Sequence, residues 1–132
     1  MASNIHLRID WIPPTTLGVN KHTHWRYKSP DEKASHMIGK SAIFGTTYTK
    51  DNVPAIPVLV VVFHWDKASR KKDSDNALGT AKHLVDGICK GLGIDDKRFI
   101  TSMAFQQVDP KRRGFTEIII REATPEERRL GT

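Results

Sequence analysis

Cysteine is nearly absent: Cys89 is the only one in 132 residues, so no internal disulfide can form and no cysteine pair exists to build a zinc knuckle or ribbon. A stapled secreted scaffold is thereby excluded, and a reducing compartment, the cytoplasm, is expected. Long apolar runs are lacking too. The longest, Val58 to Phe63, falls far short of the roughly 20 residues that span a bilayer, and the N-terminus carries no signal-peptide apolar segment. No membrane partner is expected. Gly91-Leu92-Gly93 follows a helical pattern rather than a strand and has no third glycine at the required place, so no nucleotide cofactor is expected. Internal repeats and low-complexity segments are missing as well.

What is present is an ordinary globular composition, 38% hydrophobic and 27% charged, in a length that encloses one modest core. Residues 1–132 are therefore expected to form a single domain. Lys and Arg number 21 against 15 Asp and Glu, a net charge of +6 that favours an anionic partner, nucleic acid first.

Ile5, Leu7, Ile9 and Trp11 alternate with His6, Arg8 and Asp10, the pattern of a strand with one buried face, and Pro13 and Pro14 end it. Thr15 to Lys28 shows no period and reads as a long loop. Ser29, Pro30, Asp31 and Glu32 read as a helix start, with the helix running to about Thr47. The Val-rich stretch Pro57 to Trp65 predicts a strand buried on both faces and central in its sheet. A second helix is expected from about Asp75 to Lys90, with Leu78, Ala81, Val85, Ile88 and Leu92 as its apolar stripe and Gly91 and Gly93 as its stop. Arg98 to Val108 and Phe115 to Arg121 read as two strands of a hairpin joined by the basic turn 109–114. From Thr124 the tail reads as one more helical turn or a frayed end. The order strand-helix-strand-helix-strand-strand predicts an α/β domain with a mixed four-stranded sheet and two helices.

Chemistry concentrates where Lys67, Arg70, Lys71 and Lys72 meet Asp73, Ser74, Asp75 and Asn76. Two carboxylates one residue apart at a helix start can converge on Mg2+ while adjacent basic residues hold phosphates, or they can simply cap the helix. Asp95 and Asp96 follow the helix stop and also suit plain turn chemistry. Lys82, seven residues after Asp75, shares its helix face and can reach a phosphate oxygen, or else is solvated. His22 and His24 stand together only in the loop and do not suggest a metal site.

These residues together resemble the RusA family of Holliday junction resolvases, small metal-dependent endonucleases. The resemblance lies in Asp73-x-Asp75-Asn76, the helix carrying Lys82 and Asp86, then Gly93, Asp95 and Asp96, with Trp11, Pro13, Pro14, Asn20, Trp25 and Arg26 at the front. It covers most of the chain. The family's lysine follows the second aspartate by one helical turn; here Gly79 holds that position and Lys82 stands three residues later.

The resemblance implies a Mg2+-dependent endodeoxyribonuclease that resolves four-way DNA junctions by paired nicks in recombination and repair, as a homodimer matching the junction's symmetry. Asp73, Asp75 and Asp96 would hold the metal, Asp95 would be an additional ligand, and Lys82 would stabilise charge on the phosphate. Asn20, Lys21, Arg26, Lys67, Arg70, Lys71, Lys72, Asn76, Lys97, Lys111, Arg112 and Arg113 would contact DNA. The rival expectation is a non-catalytic nucleic-acid-binding module whose acidic residues are caps and turns. A straight helix would separate Asp75 from Asp96 by about 24 Å. Unless the chain doubles back along the helix, the two carboxylates then meet only across a dimer.

Overall fold

In the computed structural model, residues 4–14, 25–70 and 74–131 are described, with the side chains of 25–29, 69 and 74–76 excepted. Strand β1, Ile5–Ile9, alternates strictly: Ile5, Leu7 and Ile9 are buried while His6 and Arg8 face out. Strand β2, Pro57–Trp65, is buried over most of its length and lies inside the sheet. Its Leu59, Val61, Phe63 and Trp65 join the main core, whereas Val58 and Val60 belong to a smaller cluster on the opposite face. Strands β3, Thr101–Val108, and β4, Phe115–Glu122, complete a mixed four-stranded sheet in the order β1-β4-β2-β3.

That order overturns the expected hairpin. β3 pairs parallel with β2, and β4 lies antiparallel to both β2 and β1, so β2 separates the two strands. The reason lies in burial. Ile118 and Ile120 face the main core while Ile119 packs on the other cluster, so β4 needs cover on both faces and takes an inner position. β3 has exposed residues along its length, including Phe105, and takes the edge. The connection 109–114 passes the end of β2, where the Asp109 N–H donates to the Trp65 carbonyl at 2.9 Å. β3 also begins three residues later than Arg98, because residues 96–98 form a 3-10 turn.

Helix α1, Trp25–Phe44, starts before the expected Ser29 and carries Pro30 inside it. Pro30 lies close enough to the N-terminus that its missing N–H costs a single intrahelical bond. The helix ends short of Thr47, where the Thr46 backbone N–H and hydroxyl both turn back to the Ile43 carbonyl, at 2.9 and 2.7 Å.

The second expected helix is broken into α2, Ser74–Thr80, and α3, Lys82–Leu92. At the break the Ala81 N–H bonds Leu78 three residues back, at 3.1 Å. The weak helix formers Gly79 and Thr80 immediately precede it. Of the expected apolar stripe, Ala81, Val85, Ile88 and Leu92 are buried, with Leu84 and Cys89 joining them, while Leu78, on α2 beyond the break, is half-buried. Gly93 stops α3 in the left-handed region at φ 76°, and the Ile94 N–H closes back on the Cys89 carbonyl at 3.0 Å. The tail forms α4, Pro125–Leu130, capped by Thr124 and Glu127. It is tied to the sheet by Arg121, which donates twice to Glu127 at 2.7 and 3.0 Å and holds that carboxyl down to about 2.

Candidate functional site

The reversal at Gly93 brings the segment after α3 back alongside the helices. Asp96 lines the same cavity, about 450 Å³, as Leu78 and Gly79 of α2, Lys82 and Asp86 of α3, and Leu59 and Ser102 at the start of the β2/β3 pair. The expected straight helix is instead split at Ala81, and Asp96 and Gly79, the latter four residues after Asp75, border the same groove.

Asp86 also lines the adjoining cavity, together with His36, Cys89, Asp95 and Asp96, so Asp86 and Asp96 border both. Asp86 was not singled out as a site residue in the sequence. The available signal was its spacing, one turn beyond Lys82 on the polar side of an otherwise apolar helix.

Asp95 does what turn chemistry predicts: its Oδ1 accepts the Lys97 N–H at 2.9 Å and caps the 3-10 turn. That bond, with a hydrogen bond from Asp96, lowers its carboxyl below the usual range. Asp96 moves the other way. Its hydrogen bond to Asp95, a slight desolvation, and the negative charges of Asp86 and Asp95 raise it, against the pull of Lys97. The two neighbouring carboxyls are thus shifted in opposite directions. Buried Cys89 feels the same charges, its thiol pushed up to about 12 by burial first and then by Asp96, Asp86 and Asp95. A thiol held protonated in this way is no nucleophile.

Asn20, Lys21, Lys71, Lys72 and Asp73 lie outside the described residues. Arg26, Asp75 and Asn76 belong to α1 and α2, but their side chains lie outside the described ones. Among the described residues no group of three His, Cys, Asp or Glu side chains is placed to hold a metal ion. The groove itself supplies two hard oxygen donors, Asp86 and Asp96, whose mutual repulsion a divalent cation would relieve. Those donors suit Mg2+; a fuller ligand set would have to draw on Asp73 and Asp75.

Of the expected DNA contacts, Lys67, Arg70 and Lys97 are exposed, and Arg70 pairs with Asp66 at 3.5 Å. Lys111, Arg112 and Arg113 are exposed in the connection before β4. They do not sit at a hairpin tip. The strand they lead into meets β2 at His64, whereas the groove touches Leu59, a separation of roughly 17 Å along the strand.

Fold and groove together define an α/β protein with a lysine- and carboxylate-lined groove between a split helix and the edge of a mixed sheet. No protein-family model matches the chain, and no curated protein matches it. No helix among the described residues is long and apolar enough to cross a membrane.

Proposed function

We propose that the chain is a Mg2+-dependent, structure-selective endodeoxyribonuclease of the RusA type that cuts four-way junctions as a homodimer. The observation that carries this reading is the convergence of Lys82, Asp86 and Asp96, from three turns of chain, on one groove. When bound, Mg2+ lowers the pKa of a coordinated water and neutralises charge on the phosphate oxygens. Asp86 and Asp96 would hold it, with Asp75 of α2 and with Asp73, which precedes that helix in the sequence. Exposed Lys82, one turn from Asp86, offers its ammonium to a non-bridging phosphate oxygen. Leu59, Val85 and Phe99 form the apolar wall of the groove beside that charge.

Incubating the purified chain with four-way, forked and linear duplex DNA, with Mg2+ or with chelator, tests the reading. Paired nicks in the four-way junction that stop with chelator are expected. Asp96→Asn should abolish them and leave junction binding intact, and Lys82→Ala should slow cleavage by about 10²–10³-fold with little change in affinity. Cleavage retained by Asp96→Asn would overturn the site.

One observation favours a second reading, a non-catalytic nucleic-acid-binding module: Asp95 is spent on a cap. That reading expects DNA binding indifferent to metal and no nicks under any condition.

A further inference from the structure

The outer face of the sheet, away from α1 and α3, carries a second charged cavity. It is about 500 Å³ and is lined by Arg8, Asp10, Arg112, Arg113 and Gly114, three guanidiniums against one carboxylate. Arg8 is held from two sides. Its Nε donates to Asp10 at 3.1 Å, and its guanidinium carbon lies 3.9 Å from the centre of the Phe115 ring. That ring is buried and stacks on His64, at 4.0 Å between centroids and 8° between planes.

Arg112 spends its Nε on Asp109 at 3.4 Å, and Asp109 also orders the turn by accepting the Lys111 N–H at 3.0 Å. Arg113 has no ion-pair partner among the described residues. The terminal nitrogens of Arg8 and Arg112 and the whole fork of Arg113 therefore remain as donors around one cavity. Planar donors of this kind match the oxygens of a phosphate.

We propose that Arg8, Arg112 and Arg113 clamp one backbone phosphate of a nucleic acid, at the opposite end of β2 from the carboxylate groove. Nucleic acid is favoured over an acidic protein by the +6 net charge and by what continues along the same face. In the β2/β3 register Phe105 lies opposite Val62 and Gln107 opposite His64, and Phe105 is 53% exposed, an aromatic surface on which a base can stack. The clamp rests on the nucleic-acid half of the reading above and is independent of cleavage.

The test is binding of labelled four-way and linear DNA to the full chain in chelator, between about 50 and 200 mM salt. Replacing all three arginines by Gln should weaken binding about tenfold or more. It should also make the log–log salt dependence shallower by about one, because one phosphate is released. Arg112→Gln with Arg113→Gln leaves the Arg8–Phe115 stack untouched, so its folding is not at issue, and it should already lose most of that affinity. Replacing all three by Lys should keep the slope and lose affinity, since the charge stays and the fork goes.

A slope shallower by about three would mean three separate contacts and overturn the clamp. So would an unchanged triple variant beside a wild type that binds. Wild type that binds no DNA overturns both the clamp and the nucleic-acid reading. Arginine-dependent binding of inorganic phosphate or poly-glutamate, with DNA binding unaffected by the variants, would assign the cavity to small anions or to acidic protein and overturn it as well.

Discussion

Gly39 of α1 and Gly87 of α3 sit where each helix touches the other's backbone: a Cβ on Gly39 would lie 2.2 Å from the Leu84 carbonyl oxygen, and one on Gly87 2.0 Å from that of His36. Neither oxygen belongs to a flexible side chain, so a methyl group at either position must push the helices apart. Each Ala substitution is expected to cost about 1–3 kcal/mol. The double variant should cost less than the sum, because one separation relieves both clashes. Gly93→Ala is the contrast: a Cβ there meets nothing within 4 Å, and only the left-handed backbone penalises it, by about 1 kcal/mol. Urea midpoints at constant m check all four.

Glu117 bridges two strands, with His6 Nε2 2.6 Å from its Oε2 and His64 Nε2 against its Oε1. Its carboxyl is held below the usual range by the hydrogen bond to His6 first, with His64 adding to it against partial burial. Its folded pKa thus lies under the unfolded value of about 4.3. The stability it contributes is present above that pH and lost as pH falls through the folded value. Wild type should therefore exceed Glu117→Gln in unfolding free energy near neutral pH, and the gap should close in acid. A gap that stays constant down to about pH 3 would contradict the assignment.

Much of the fold was legible because its signals are local. The Ile5-Leu7-Ile9 alternation, the Val-rich β2 and the α3 stripe are patterns of single elements, and each forms as its period requires. Pairing partners are not local, and the hairpin failed for that reason. The three consecutive isoleucines 118–120 were the available clue that β4 needs neighbours on both sides. The break at Ala81 was half legible in Gly79 and Thr80. At the groove, the sequence singled out Lys82 and Asp96, but their meeting there follows from the Gly93 reversal and the capped 3-10 turn. No spacing encodes that path, and so Asp86, though part of the motif with Lys82, carried no site role in the sequence.

Asp96 offers a direct test of metal binding without any assay of cleavage. Its carboxyl is raised by sharing a hydrogen bond with Asp95 and by the negative charge of Asp86. A cation held between Asp86 and Asp96 would favour the ionised form instead. Adding Mg2+ should move the Asp96 titration, followed by carboxyl carbon NMR, to lower pH, and chelator should restore it. Asp86→Asn should lower the metal-free midpoint and blunt the response to Mg2+. A midpoint indifferent to Mg2+ would remove Asp96 from the metal site.

Whether the proposed site lies within one subunit or is shared across a dimer is open to a direct test. Asp96 and Gly79 border one groove, and Asp75 lies one helical turn before Gly79, an axial rise of about 6 Å. The proposed function accordingly places both carboxylates in one subunit. Mixing Asp75→Asn with Asp96→Asn protein, each inactive alone, separates the cases once subunits have exchanged. With sites inside single subunits every site in the heterodimer carries one substitution, so no nicking should return. With shared sites one site would collect both substitutions and the other none, and the heterodimer would nick one strand of the junction. The expected result is a verified heterodimer that binds junctions and leaves both strands whole; single-strand nicks would show that Asp96 acts in its partner's groove.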